Sequence, residues 1–232
     1  MHGHIPYFDS SYLIILPAIL FALYAQTKVS STFNKYKNVY NRRGLTSQEV
    51  ARRILDENGL TNVTIEHISG NLTDHFDPSV NVVRLSDSVY NSNSVAAIGV
   101  AAHEVGHAIQ HATEYSPIKI RNAILPIVNI GSNLATPIVI AGLIFSFQPL
   151  ISIGIFLFTF IVFFQAITLP VEFNASSRAL QTLESFNILD VDELQQSKSV
   201  LRAAAMTYVA ALLSALLSLV RLLIISNGRR RD

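Results

Sequence analysis

The chain of 232 residues carries a formal net charge of only +1, so it lacks the basic field that a nucleic-acid partner requires. Half of its residues are hydrophobic and 14% are charged, against a typical charged share of about 25%. The apolar residues lie in a few long runs, which predicts a membrane protein with a soluble part. Because there is no cysteine, disulfides and thiolate ligands are excluded, and a metal site must use His, Asp and Glu.

The N-terminal part of the chain joins an apolar run to a basic segment. The run Tyr12–Ala25, extended to residue 8, predicts a retained transmembrane helix over residues 8–27, with a possible kink at Pro17. No Lys or Arg precedes it, which is not typical of a signal peptide. From Val29 to Tyr40, apolar residues recur at helical spacing among lysines and arginines. This basic amphipathic helix either lies along an anionic membrane surface or packs on the soluble domain.

Residues 28–122 are predicted to form a small soluble α+β domain. Thr46-Ser47-Gln48-Glu49 has the spacing of a capping box, so a helix should begin there and end at Gly59. The further predicted elements are a strand at residues 62–68, turns at Gly70 and at Asp77-Pro78, a strand at residues 80–85 and an Ala-rich helix at residues 94–111.

Two apolar runs predict a transmembrane hairpin over residues 123–171. They are Ala123–Phe147 and Leu150–Val171, and Pro149 is expected in the turn between them. Polar groups in the first run, such as Asn129, indicate that it packs against other helices.

The C-terminal part begins with a polar segment over residues 172–205, whose first residues, Val171 to Leu183, have a helical pattern. The last apolar run, residues 206–227, contains Arg221 and is followed by three arginines. We expect this run to cross the membrane or to lie at its interface.

The distribution of positive charge predicts the orientation. Ten of the seventeen Lys and Arg residues lie between Lys28 and Arg121, whereas residues 1–25 and the turn at 146–149 have none. The positive-inside rule therefore places residues 28–121 in the cytosol, and the hairpin returns residue 172 to the same side. The C-terminal arginines conflict with this rule if the last run crosses fully.

The motif His103-Glu104-Val105-Gly106-His107 lies within the predicted Ala-rich helix. Residues four apart share a helix face, so both imidazoles can bind one Zn²⁺. Glu104 can then act as catalytic base, taking a proton from a zinc-activated water that attacks an amide carbonyl. Small neighbours such as Gly99 and Gly106 would let other elements approach this helix closely.

A catalytic zinc needs a third protein ligand. His111 is excluded, because it lies about 12 Å from His103 along the helix axis, and the metzincin third histidine is excluded because position 113 is threonine. The remaining candidates are Glu172, Glu184, Asp74, His75 and Glu114. Glu172 is the best of them, because the hairpin returns it beside the motif and a carboxylate at a membrane boundary is costly unless it is paired or binds metal.

Four further residues are candidates for the surroundings of the metal. Asp74 and His75 precede the second predicted strand, and an edge strand can bind an extended substrate by β-augmentation; a polar turn is the alternative. Asn174 and Arg178 share the helical segment of Glu172. Either could support Glu172 or a bound carbonyl, or the two could form a surface pair.

The sequence resembles the YugP-type bacterial neutral zinc metallopeptidases over nearly its whole length. The resemblance is carried by Leu72–Pro78, Arg84–Ser86, Val100–Gln110, Val171–Ser176 and Ala203–Val209. It implies an integral membrane protein of the gluzincin type, with a zincin-like domain, His103, His107 and Glu172 as ligands of one Zn²⁺ and Glu104 as base. More distantly, the chain is similar to HtpX-like proteases, which have Glu-x-x-Ala-Asp where this chain has Glu172 to Ser176. Ser176 replaces that aspartate, and Asn174 stands where YugP-like proteins usually have aspartate.

Together these observations predict a mainly α membrane protein with a short β-sheet and an HExxH helix. We expect an endopeptidase of the bacterial cell membrane, with its active site facing the cytosol, that cleaves membrane or membrane-proximal polypeptides. A catalytically silent zinc-binding membrane scaffold is the alternative. Glu104 separates the two, because a purely structural site has no use for a base beside its ligand.

Overall fold

The computed structural model describes residues 13–228, which are mostly helical. The helices are α1 Leu16–Tyr36, α2 Ser47–Glu57, α3 Val95–Ala112, α4 Ser116–Ile144, α5 Gln148–Ser185 and α6 Val191–Gly228. The chain divides into two compact units. The mixed unit comprises Ala25–Lys119 and Leu169–Met206, and the helical unit comprises Ile120–Thr168 and the described parts of Met1–Tyr24 and Thr207–Asp232.

The mixed unit contains a three-stranded sheet with the order β1-β3-β2. Strands β1 (Thr64–Ile68) and β3 (Val82–Ser86) pair in parallel and confirm the two predicted strands. Strand β2 (His75–Asp77) pairs antiparallel with β3 on its other side. We predicted only a turn near β2, because three residues are too few to show an alternating pattern. As a result β3 is the central strand, and β1 and β2 are the two edge strands.

Helix α2 begins and ends where the sequence predicts. The Thr46 hydroxyl accepts a hydrogen bond from the backbone N–H of Glu49, while the Glu49 carboxylate accepts one from the backbone N–H of Thr46 at 2.8 Å. This reciprocal pair is the predicted capping box. Gly59 has φ +73°, a left-handed conformation that favours glycine after a helix. Inward-facing residues of α2 such as Ile54 pack in the apolar core of the mixed unit.

Helix α1 is one continuous helix, so the described part of the predicted anchor and most of the basic segment form a single element. Phe33 is buried in the core of the mixed unit, and Tyr36 packs against that core. Packing on the soluble domain, one of the two alternatives, is therefore correct for these residues. Pro17 lies in the first turn of α1, where proline is tolerated, rather than at a kink. Residues 8–12 of the predicted anchor lie outside the described residues.

Among the described residues, three helices are long and apolar enough to cross a membrane: Ser116–Ile144, Gln148–Ser185 and Val191–Asn227. Within the helical unit, α4 and α5 follow each other as the predicted hairpin, but Pro149 lies in the first turn of α5 rather than between the helices. Pro170 lies inside α5. The prediction that a helical stretch begins near Glu172 is therefore wrong, because α5 continues through Pro170 to Ser185.

Candidate metal centre

Helix α3 presents the motif at the centre of the candidate site, which lies within the mixed unit. Ser94 caps this helix by accepting a hydrogen bond from the backbone N–H of Ala97 at 3.2 Å. The rings of His103 and His107 lie on one face, with their centroids 4.8 Å apart. Glu104, between them in sequence, is buried. Both imidazoles are also largely shielded from solvent, with 14% and 13% of their side chains exposed.

Helix α5 contributes the third member of the group. Oε2 of Glu172 lies 3.3 Å from Nε2 of His103 and 3.5 Å from Nε2 of His107. One ligand atom from each residue lies within 4.8 Å of the others. In the described part of the chain, no other candidate carboxylate joins this group. Glu114, for example, is exposed and pairs with Lys119 at 2.8 Å.

These three residues fit a metal ion. Ligand atoms bound tetrahedrally at about 2.0–2.1 Å lie about 3.3–3.4 Å from one another. The distances from the Glu172 oxygen to the two imidazole nitrogens, 3.3 and 3.5 Å, are close to that value. Two imidazoles and one carboxylate are also a ligand set of catalytic zinc sites, which keep a fourth position open.

Both imidazoles are oriented by hydrogen bonds from their other nitrogen. Nδ1 of His103 lies 3.1 Å from the Ser176 hydroxyl, and Nδ1 of His107 lies 3.0 Å from Oε1 of Gln110. When each Nδ1–H donates to its oxygen, the Nε2 lone pair is left for a metal. Ser176 thus occupies an orienting position where the HtpX-like pattern has aspartate.

Gln110 is fully buried and links α3 to α5. Its amide Nε2 donates to the carbonyl of Val171 at 2.7 Å and to Oδ1 of Asn174 at 3.0 Å. The same Asn174 oxygen accepts a hydrogen bond from Nε of Arg178 at 2.8 Å. Asn174 and Arg178 are therefore connected to His107 through Gln110. The sequence pattern does not single out Gln110, although a polar residue three positions after His107 lies on the same helix face as the motif.

The other two candidate residues, Asp74 and His75, differ in their environment. The carboxylate of Asp74 accepts hydrogen bonds from the backbone N–H and the hydroxyl of Ser86, at 2.7 and 3.0 Å. Burial raises the pKa of Asp74 against those hydrogen bonds, and the negative charge of Glu104 raises it further. His75 is exposed, contacts the carbonyl of Thr73 at 3.0 Å and does not belong to the metal group.

The charges around the imidazoles favour a cation. Burial lowers the pKa of His107, but the hydrogen bond to Glu172 and the negative charge of Glu104 outweigh it, so the net shift of the pKa is upward. The same two carboxylates that favour a protonated imidazole would favour a bound metal ion in its place.

Close contact between α3 and α5 brings the ligands together. A Cβ atom at Gly106 would lie 2.6 Å from the carbonyl oxygen of Ala175 and 3.2 Å from its Cα. Only glycine fits this contact without displacement of a backbone. The predicted role of small residues beside the motif is confirmed at Gly106.

Comparisons with known proteins identify the family of the chain. The family model described as "Putative neutral zinc metallopeptidase" matches residues 11–227, and the chain belongs to this family. The chain is 48% identical over 217 residues to "Putative membrane protease YugP" of Bacillus subtilis (strain 168), which covers 93% of this chain and 96% of that protein. No solved structure matches the chain.

Proposed function

We propose that the protein is a membrane-embedded, zinc-dependent endopeptidase of the gluzincin type with a zincin-like catalytic domain. His103, His107 and Glu172 would hold one Zn²⁺ per chain, and Glu104 would be the catalytic base. The observation that carries the proposal is the convergence of Nε2 of both histidines on the buried Glu172 carboxylate. Family membership and the printed name of the Bacillus relative support a peptidase.

The chain's own residues have distinct tasks in this proposal. A zinc ion bound there would supply Lewis-acid chemistry, acidifying a water and polarising the substrate carbonyl. Glu104 accepts the proton of the attacking water and passes it to the leaving amine nitrogen, so that the peptide bond breaks without a charged leaving group. Ser176 and Gln110 hold the imidazoles in the tautomer that this arrangement needs.

The sheet offers a place for an extended substrate, which we propose is a membrane or membrane-proximal polypeptide. Strand β2 is the sheet edge that faces α3, because the ring of Phe76 lies 5.9 Å from that of His111. A peptide strand could pair with the free backbone groups of β2. Strand β3, the strand predicted at residues 80–85, is paired on both sides and has no edge for a substrate. We therefore propose β2 as the strand that pairs with the substrate.

Replacement of Glu104 tests the proposed chemistry. Glu104→Gln removes the proton acceptor but no ligand, so we expect wild-type zinc content and loss of casein or membrane-peptide cleavage by at least about a hundredfold. Glu114→Gln is the matched control, because Glu114 is exposed and pairs with Lys119; it should keep both properties. Substantial cleavage by zinc-loaded Glu104→Gln would refute the role of base. Zinc binding without cleavage by the wild type would instead favour the silent scaffold.

We further propose that the protein resides in the bacterial cell membrane with the site facing the cytosol, from the charge distribution given above. Single cysteines can test this, because the chain has none of its own. An impermeant thiol reagent on intact cells should label Ser146→Cys, in the turn between α4 and α5, and should not label Ser69→Cys. Both should react after permeabilisation. The reverse pattern would overturn the orientation.

A further inference from the structure

A cavity of the mixed unit lies between α1 and α6, with a volume of about 320 Å³. The polar groups that line it are Lys28, Thr32, Lys35 and Tyr36 of α1 and Ser199 and Arg202 of α6. None of these residues belongs to the candidate metal centre.

The cavity is positively charged, and its cationic side chains are not neutralised by the carboxylates of the described residues. Its lining has three cationic side chains and no carboxylate. In the described part of the chain, Lys28, Lys35 and Arg202 take part in none of the ion pairs formed by lysines and arginines. Lys35 instead lies over the ring of Tyr36, 5.0 Å from its centroid. An anion is therefore the ligand that this cavity would attract.

The arrangement of the side chains suits a phosphate group. Lys28, Thr32 and Lys35 are four and three residues apart, so they follow one face of α1. Ser199 and Arg202 are three residues apart on α6. Lysine and arginine neutralise phosphate oxygens, and hydroxyl groups such as that of Thr32 donate hydrogen bonds to them.

The sequence next to the cavity residues indicates that the phosphate belongs to a lipid headgroup. On α1, residues 16–27 before Lys28 contain no charged residue, and on α6 no charged residue occurs between Arg202 and Arg221. Lys28 and Arg202 are thus the charged residues that border an apolar run on each helix. Basic side chains at such boundaries lie at the level of lipid headgroups, and basic pockets between helices bind anionic headgroups. Ala203 and Met206 add apolar lining.

We propose that this cavity binds the headgroup phosphate of an anionic phospholipid, with Lys28, Lys35 and Arg202 neutralising the phosphate and Thr32 and Ser199 donating hydrogen bonds. The inference rests on the membrane location in the proposed function but not on the peptidase chemistry.

Binding of defined lipids to the purified full-length protein in detergent tests the proposal. Phosphatidylglycerol should bind at least about tenfold more tightly than phosphatidylcholine, because each basic residue near an anionic lipid headgroup adds to the attraction. Lys28→Gln/Lys35→Gln should abolish this preference. Lys37→Gln/Lys198→Gln removes the same charge from residues that do not line the cavity, and should keep it.

Several results would overturn the proposal. These are equal binding of the two lipids, competition by inorganic phosphate at the affinity of the lipid, or equal losses in the two double variants. Arg202→Gln and Arg202→Lys distinguish loss of positive charge from misfolding. Arg202→Gln should lose the preference for phosphatidylglycerol, and Arg202→Lys should retain most of it. Zinc content and cleavage, measured on the same preparations, report separately on the peptidase proposal. Recovery of the wild type in the soluble fraction of cells would remove the membrane premise.

Discussion

The contact at Gly106 allows a sharp test of how the site is assembled. In Gly106→Ala, the new methyl group would lie 2.6 Å from the carbonyl oxygen of Ala175, about 0.8 Å closer than the 3.4 Å at which ordinary van der Waals contact begins. The obstacle is backbone, which cannot rotate away as the end of a side chain can. The two helices must therefore separate, and Glu172, one turn before Ala175 on α5, moves with them.

The expected effects on metal binding and on stability differ in size. Metal–ligand distances tolerate deviations of only about 0.2 Å, so a displacement several times larger should lower zinc affinity by about a hundredfold, as a misplacement of about 1 Å does for catalysis. Overpacking costs about 1–3 kcal/mol of the free energy of unfolding. The greater helix propensity of alanine offsets about 1 kcal/mol of this destabilisation. We therefore expect a small fall in Tm together with a large loss of zinc.

Zinc affinity by competition with a chromogenic chelator, and Tm in detergent, measure the two effects. Gly99→Ala is the control on the same helix, because the three atoms nearest to its methyl group would all belong to Ser197 on α6, the first of them at 3.2 Å. It should keep wild-type zinc affinity. If Gly106→Ala binds zinc as tightly as the wild type, the α3–α5 contact does not position Glu172, and this reasoning is wrong.

Two further variants test the residues around the imidazoles and the third ligand. Gln110→Met keeps the side-chain volume but removes the acceptor for Nδ1 of His107. It should lower metal affinity or activity by about 10–100-fold. Gln181→Met, on the exposed face of α5, is the control and should change neither. Glu172→Ala should lower zinc occupancy and activity together, while Glu184→Ala should retain both; full occupancy in Glu172→Ala would mean that another group is the third ligand.

The sequence predicts those parts of the structure that depend on local patterns. The capping box at Thr46, the motif helix and the two longer strands follow from side-chain periodicity and hydrogen bonding within a few residues. Glu172 was reached differently, by excluding His111 on distance and following the hairpin. The cost of an unpaired carboxylate at a membrane boundary supported that choice, and the structure places Glu172 beside the two histidines.

The parts that could not be predicted depend on tertiary contacts. Pro170 normally indicates a helix boundary, but α5 continues through it. Strand β2 exists only because β3 pairs with it. Gln110 resembled any polar residue near a helix end, and its importance arises from the Val171 carbonyl and Asn174, more than sixty residues away in sequence.

The continuity of α5 explains how so small a site can be well defined. Glu172, Asn174 and Ser176 occupy little more than one turn of a single helix, and the motif and Gln110 occupy two turns of another. Among the described residues, the polar partners of the two imidazoles, Glu172, Ser176 and Gln110, therefore stand on two rigid elements, which hold side chains more accurately than loops do. The close helix–helix contact at Gly106 and the hydrogen bonds of the buried Gln110 amide both join these two elements at the candidate site. Changes at that contact should therefore impair metal binding before they unfold the protein.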